Sequence, residues 1–140
     1  MFTIDTSTEF GGRIRTRLTD ETVLWLTTLG KSGTPQPNPV WFYWNGQEIV
    51  ICSQAGKAKV HNIENSGSVA LNFNATKTGG DVVVITGDAA VDHVGLSEEE
   101  RVSYDEKYEK DLQGLGMTAE KFHEEYPVVI RITPAKVRGF

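Results

Sequence analysis

The sequence predicts a mainly β domain in which six antiparallel strands close into a small barrel with helices outside. Three observations carry that expectation. Apolar runs of strand length follow one another without regular helical alternation, which argues against βαβ units. Asn45–Gly46 separates two such runs and is a strong hairpin signal. The one long polar stretch of helical character, 96–112, comes late in the chain. Closing the strands on themselves would remove their exposed edges.

The elements are expected in the following order. Residues 7–18 (STEFGGRIRTRL) start polar and suit a short helix ending near Leu18, although Gly11 and Gly12 disfavour it. Residues 21–30 (ETVLWLTTLG) are rich in β-branched and aromatic residues and stop at Gly30, as a strand does. Gly33 and Pro35 mark 31–37 as a turn. A second strand, 38–44 (NPVWFYW), returns through Asn45–Gly46 into a third, 47–53 (QEIVICS). After Ser53 the period changes. Ala55, Ala58 and Ile63 suit a helix of about ten residues ending near Gly67. The fourth strand, 68–75 (SVALNFNA), alternates Val69, Leu71 and Phe73 against Ala70, Asn72 and Asn74. A turn at Thr78–Asp81 leads to the fifth, 82–92, where Gly87 marks a bulge or close approach. Ser97 with Glu100 three residues on forms a capping box and opens a helix over 96–112. Thr118 opens a shorter one over 118–126. The last strand, 127–140, carries Pro134, which implies an edge or a bulge.

Length and composition bound the function. The 140 residues suit a single domain, 1–140. A domain of that size buries roughly 68–70% of its unfolded surface and needs no disulfide staples. Cys52 is the only cysteine, which fits a reducing, cytoplasmic setting. No stretch reads as a signal peptide or reaches the ~18 apolar residues of a membrane span. The net charge of −5 provides no basic field for nucleic acid. That charge is unevenly placed. Residues 92–125 hold eleven acids and four bases, whereas 31–80 hold four bases and two acids. A small anion could therefore bind in the middle of the chain.

The common catalytic motifs are missing from the sequence: there is no G-x-S-x-G, H-E-x-x-H, C-x-x-C or phosphate-binding G-x-x-x-x-G-K-[ST]. His61, His93 and His123 share no metal-ligand spacing, so no metal site is expected. The stretch CSQAGKAKVHNIENSG, 52–67, carries the clearest chemistry. Ser53 stands at a strand-to-helix junction, where free N–H groups attract phosphate. Lys57 and Lys59 add two charges there, with Asn62 one turn beyond Lys59 and His61 one turn beyond Lys57. The same residues also suit a solvated helix face. A second feature is the run Trp41, Phe42, Tyr43, Trp44, which makes both faces of a strand aromatic. One face can fill the barrel. The other requires a cover, either a partner subunit or a flat ligand. Pro37 and Pro39 stiffen the approach to it and expose backbone polar groups.

These segments, from LWLTTLGKSGTPQPNPVWFYWNG through VVVITGDAAV, resemble the split β-barrel flavin-binding proteins of the pyridoxamine-phosphate oxidase group. Within it, the subgroup dependent on the deazaflavin coenzyme F420 is the most similar. The resemblance implies a six-stranded antiparallel split β-barrel of the FMN-binding-protein type. It also implies a homodimer with cofactors between the barrels, and an oxidoreductase that passes a hydride between reduced F420 and a small organic acceptor. The positions matching the family's cofactor-tail motif are Ser53, Lys57, Lys59 and Asn62, and those matching its ring-facing strand are Pro39, Val40, Trp41 and Phe42. The arginine-rich phosphate pattern of the vitamin-synthesising oxidases is missing, which argues against pyridoxamine phosphate as substrate. FMN is the alternative cofactor, and a coenzyme or haem carrier without turnover is the alternative function. No side chain stands out as an obligatory proton donor.

Overall fold

The first helix forms despite its two glycines. Thr8 caps it, accepting from the Gly11 N–H at 3.0 Å, and Ile14 and Leu18 are buried along one side. In the computed structural model, which describes residues 2–140, this helix α1 spans Glu9–Asp20. Gly11 is required by close approach: a Cβ there would lie 1.8 Å from the Asp5 carbonyl oxygen.

The strands are β1 (Leu24–Leu29), β2 (Pro35–Val40), β3 (Tyr43–Trp44), β4 (Ile49–Ser53), β5 (Ser68–Asn72), β6 (Val83–Asp92) and β7 (Val128–Gly139). They form one antiparallel sheet in the order β2-β1-β5-β6-β7-β4-β3. The helices after α1 are α2 (Ala58–Asn65), α3 (Glu98–Lys107), α4 (Glu109–Gly114) and α5 (Ala119–Glu125). The architecture is a mainly antiparallel β half-barrel with helices, consistent with a split barrel.

Two expectations need correction. Among the described residues the sheet has seven strands, not six, because the single strand expected over 38–44 breaks at Trp41–Phe42. Its first part begins earlier, at Pro35, and pairs with β1. Its second part pairs with β4. These two parts are the two edges of the sheet, so the dipeptide Trp41–Phe42 is the covalent seam that brings the edges together. The long helix expected over 96–112 is likewise two helices, separated at Tyr108, whose φ/ψ of −105°/11° leaves the helical region.

Local signals placed the rest. The Ser97–Glu100 capping box is complete in both directions, and Thr118 caps α5 by accepting from the Lys121 N–H at 3.1 Å. Asn45 accepts from the Gln47 and Glu48 N–H groups at 2.9 and 2.7 Å, and Gly46 takes φ 97°, which closes the β3–β4 hairpin. The expected irregularity at Gly87 is a register shift, with Gly87 opposite Pro134 and Thr86 opposite Lys136. A Cβ on Gly87 would meet the Thr133 carbonyl oxygen at 2.3 Å.

Two clusters of buried side chains result. The barrel core includes Leu26, Phe42, Ile49, Ile51, Leu71 and Ile130, closed by Ile14 and Leu18 of α1 and by Val60 and Ile63 of α2. The second cluster lies between the barrel and the late helices: Cys52, Tyr104, Tyr108, Leu112 and Phe122, with Trp41, Tyr43, Met117 and Tyr126 packed against it. The aromatic run thus keeps its strand alternation. Phe42 and Trp44 go to the barrel, and Trp41 and Tyr43 go to the helices.

Candidate functional site

The seam at Trp41–Phe42 creates a local problem and, beside it, a cleft. Breaking a strand leaves backbone groups without sheet partners, and burying them unpaired is costly. The end of α3 supplies the partners. The Tyr108 hydroxyl accepts from the Phe42 N–H at 2.8 Å and donates to the Thr22 carbonyl at 2.7 Å. Lys107 Nζ donates to the Phe42 carbonyl at 2.9 Å and lies 3.7 Å from the centre of the Phe42 ring. Burial pulls the Lys107 ammonium down to about 8, with Asp20 and Glu21 acting in the opposite direction.

On the outer side of the seam is a cleft of about 210 Å3, lined by Pro39, Val40, Trp41, Cys52, Lys59, Leu115, Met117, Phe122 and Tyr126. One wall is the strand, the other is the helical segment. The second aromatic face therefore has a cover from its own chain: Trp41 stacks on Tyr108 at 4.4 Å and on Phe122 at 5.6 Å. Cys52 is 8% exposed, and burial pushes its thiol up to about 12. It is a neutral thiol, not a thiolate nucleophile. In the same cluster, the buried Tyr104 hydroxyl has no hydrogen-bond partner among the described residues.

The cationic end of the cleft is the start of α2. The helix begins at Ala58, four residues later than the strand-to-helix junction at Ser53 suggests, because Gln54–Lys57 form a turn in which Gly56 takes φ 72°. Lys57 is the N-cap and makes no side-chain capping bond, and the first turn holds no acid. The Val60 N–H donates to the Lys57 carbonyl at 3.0 Å, and no side chain caps the start of the helix, which carries the two lysines. Lys57 is exposed and Lys59 half-buried. Burial, and then the charge of Lys57, lower the pKa of Lys59.

The eight sequence-derived positions separate into two sets. Pro39, Val40, Trp41 and Lys59 line the cleft together, and Lys57, the N-cap of α2, does not line it. The other three turn inward. Phe42 is fully buried in the barrel. The Ser53 hydroxyl donates to the Gln54 carbonyl at 3.0 Å. Asn62 Nδ2 donates to Thr28 Oγ1 at 3.0 Å and to Gln36 Oε1 at 2.8 Å. Sequence reasoning missed Cys52, Leu115, Met117, Phe122 and Tyr126 as cleft residues. The only signal for the last four was an apolar and aromatic set in or beside an otherwise acidic helical stretch, and Cys52 gave none beyond its place in a strand. His61 is on the exposed side of α2, 3.9 Å from Glu64, and His123 is bonded to Asp105 at 2.6 Å. Among the described residues no histidine lines the cleft, and no group of three or more His, Cys, Asp or Glu could hold a metal ion. No helix among them is long and apolar enough to cross a membrane.

The cleft fits a flat redox cofactor with an anionic tail in its chemistry: apolar and aromatic walls, with the Lys59 ammonium on the α2 side. Comparison with known proteins bears on it. The family described as pyridoxamine 5′-phosphate oxidase matches residues 10–140. No curated protein matches the sequence. Among solved structures the chain is similar to an F420 reductase, with 19% identity, coverage of 88% of this chain and 94% of that one, and a TM-score of 0.65. It is similar to HutZ, the heme storage protein from Vibrio cholerae, with 14% identity, coverage of 94% and 95%, and a TM-score of 0.70. General Stress Protein 26 from Bacillus anthracis has 17% identity, coverage of 90% and 89%, and a TM-score of 0.67. At these identities the likenesses establish a common fold.

Proposed function

This chain belongs to the pyridoxamine 5′-phosphate oxidase family, a flavin-binding family, and from that premise we propose that it is an oxidoreductase dependent on the deazaflavin coenzyme F420. The observation that carries the reading is the pairing of an uncapped, acid-free helix start bearing Lys57 and Lys59 with an aromatic-walled cleft that includes Lys59 itself. When bound, reduced deazaflavin supplies a hydride to an electron-poor bond of a small organic acceptor.

The protein's part is to bind, orient and exclude water. Lys57, Lys59 and the leading amides of α2 hold the phosphodiester and carboxylate tail. Two separated ammonium groups suit an extended polyanion better than the single compact phosphate of FMN, which supports the deazaflavin over FMN. Pro39, Val40 and Trp41 form the wall against which the ring lies, and the late helices shield the site from solvent. Fixing the ring in this way allows an acceptor to be held within about 3–3.5 Å of it. The desolvated, depressed Lys59 ammonium gains from an arriving anion, because the anion offsets both its burial and the repulsion from Lys57.

A homodimer is part of the same proposal. Strand β2 is exposed along Pro35–Pro39, which suits a surface covered by a second copy.

The test is a binding titration of the full chain with oxidised F420, FMN and haem in parallel, read by cofactor fluorescence or absorbance. F420 is expected to bind most tightly. Lys57→Ala combined with Lys59→Ala is expected to weaken F420 at least tenfold while the circular-dichroism melt is retained. Unchanged F420 affinity in the double variant sinks the tail site, and a preference for FMN or haem sinks the choice of coenzyme.

A further inference from the structure

The rings behind the cleft form a column with an open end. Tyr108, Trp41, Phe122 and Tyr126 stack in that order at centroid separations of 4.4, 5.6 and 4.6 Å, with interplanar angles of 5°, 11° and 12°. Tyr108, fully buried, closes one end. Tyr126, half-buried, ends the other and lines the cleft. Phe122 is the one ring stacked on Tyr126 among the described residues.

The cleft around Tyr126 is built for a ring and little else. Among the described residues Lys59 is its one charged lining residue, and it belongs to the helix α2 side. At about 210 Å3 the cleft is smaller than the ~300–1,000 Å3 of a drug-sized site, so it suits ring-sized groups and not a whole coenzyme. Leu115, 67% exposed, and Met117 come from the turn after α4. That turn is held in place: the Leu115 N–H donates to the Asp111 carbonyl at 3.2 Å and the Met117 N–H to the Leu112 carbonyl at 2.9 Å. Its apolar side chains stand in an otherwise acidic segment.

We propose that Tyr126 is the stacking platform for a flat aromatic ring, with Leu115 and Met117 as the lip over that ring's edge. Two molecules offer such a ring, the tricycle of the coenzyme and an aromatic acceptor. The cleft would then have two poles, an aromatic one on the late helices and a cationic one on α2. The aromatic pole does not depend on the deazaflavin reading, so each can fail without the other.

The test uses naphthol, a neutral, fluorescent two-ring probe, titrated into the full chain without coenzyme. Aromatic stacking makes Tyr126→Leu weaken naphthol by about 3–10-fold, while Tyr126→Phe retains it. Leu115→Asp, at an exposed position, is expected to weaken naphthol severalfold without changing the thermal melt. Lys59→Ala, on the α2 side of the cleft, is expected to weaken F420 more than it weakens naphthol. Naphthol that still binds at saturating F420 assigns the platform to an acceptor, and naphthol displaced by F420 assigns it to the coenzyme ring; either outcome supports the platform. It is overturned if naphthol does not bind, or if Tyr126→Leu and Leu115→Asp both bind it as the unaltered chain does. If F420 fails to bind while naphthol behaves as stated, the deazaflavin reading falls and the platform stands.

Discussion

At the scale of single residues, Asn62 shows how one side chain can serve a site from beneath it. Its amide bridges α2 to Thr28 on β1 and Gln36 on β2, and so sets where Lys57 and Lys59 stand. Replacing it with Leu removes the donor for two partners and is expected to cost about 1–3 kcal/mol. A urea titration reads this as a lower midpoint with an unchanged m-value, and an unchanged midpoint would refute it. The three-residue spacing of Lys59 and Asn62 was legible in the sequence. That the amide would turn inward was not, because its partners lie 26 and 34 residues away. Lys59 carries a second prediction. Lys57 contributes to its lowered pKa, so Lys57→Ala should raise it. A side-chain NMR titration that finds the Lys59 midpoint unmoved would show that the two ammonium groups do not act on one another.

At the scale of elements, the decisive feature is the broken strand. Residues 38–44 look like one strand because every residue suits one, and β-propensity does not state which neighbour a strand pairs with. Partner exchange at Trp41–Phe42 depends on Tyr108 and Lys107, more than 60 residues away, to satisfy the Phe42 backbone. Tyr108→Phe keeps the ring that stacks on Trp41 and strands the Phe42 N–H and the Thr22 carbonyl. The expected loss is about 1–3 kcal/mol in chemical denaturation. A stability equal to that of the unaltered chain would mean that the seam needs no such partner. Strand β2 adds a second element-level device. With prolines at 35, 37 and 39, its only N–H donors to β1 come from the alternate residues, so its outer edge presents carbonyls without N–H groups. Such an edge cannot complete a ladder with another strand, which guards an exposed strand against edge-to-edge aggregation.

At the scale of the whole molecule, Arg131 joins the barrel to the helical segment. From β7 it reaches Asp92 at 2.6 Å, Glu100 at 2.7 Å, Glu48 at 3.2 Å and the Gly95 carbonyl at 3.1 Å. Hydrogen bonding from Arg131, above all, holds Glu100 down to about 2, and also keeps Asp92 below the usual carboxylate range. In both groups the folded pKa is depressed, so their stabilisation is complete above the unfolded carboxylate range of about 4–4.5. It is lost as pH falls toward the Glu100 value of about 2. Thermal melts across that window are expected to show a steep fall that Glu100→Gln flattens; parallel profiles for the two proteins would contradict the linkage. Arg131→Met leaves three carboxylates around a missing cation. Its cost is placed at the low end of ~3–5 kcal/mol, since all the partners keep some solvent.

What the sequence determined by itself is what depends on neighbours along the chain. Caps at Ser97 and Thr118, the Asn45–Gly46 turn, the irregularity at Gly87 and Pro134, and the alternation of the four aromatics are all local, and all are legible as such. Tertiary structure alone decided which edges meet at Trp41–Phe42, which polar side chains on α2 face inward, and that Leu115, Met117, Phe122 and Tyr126 stand across the cleft from the strand. Those outcomes rest on contacts between residues tens of positions apart. Side-chain type states what a residue can do, and only the closed chain states what it is placed against.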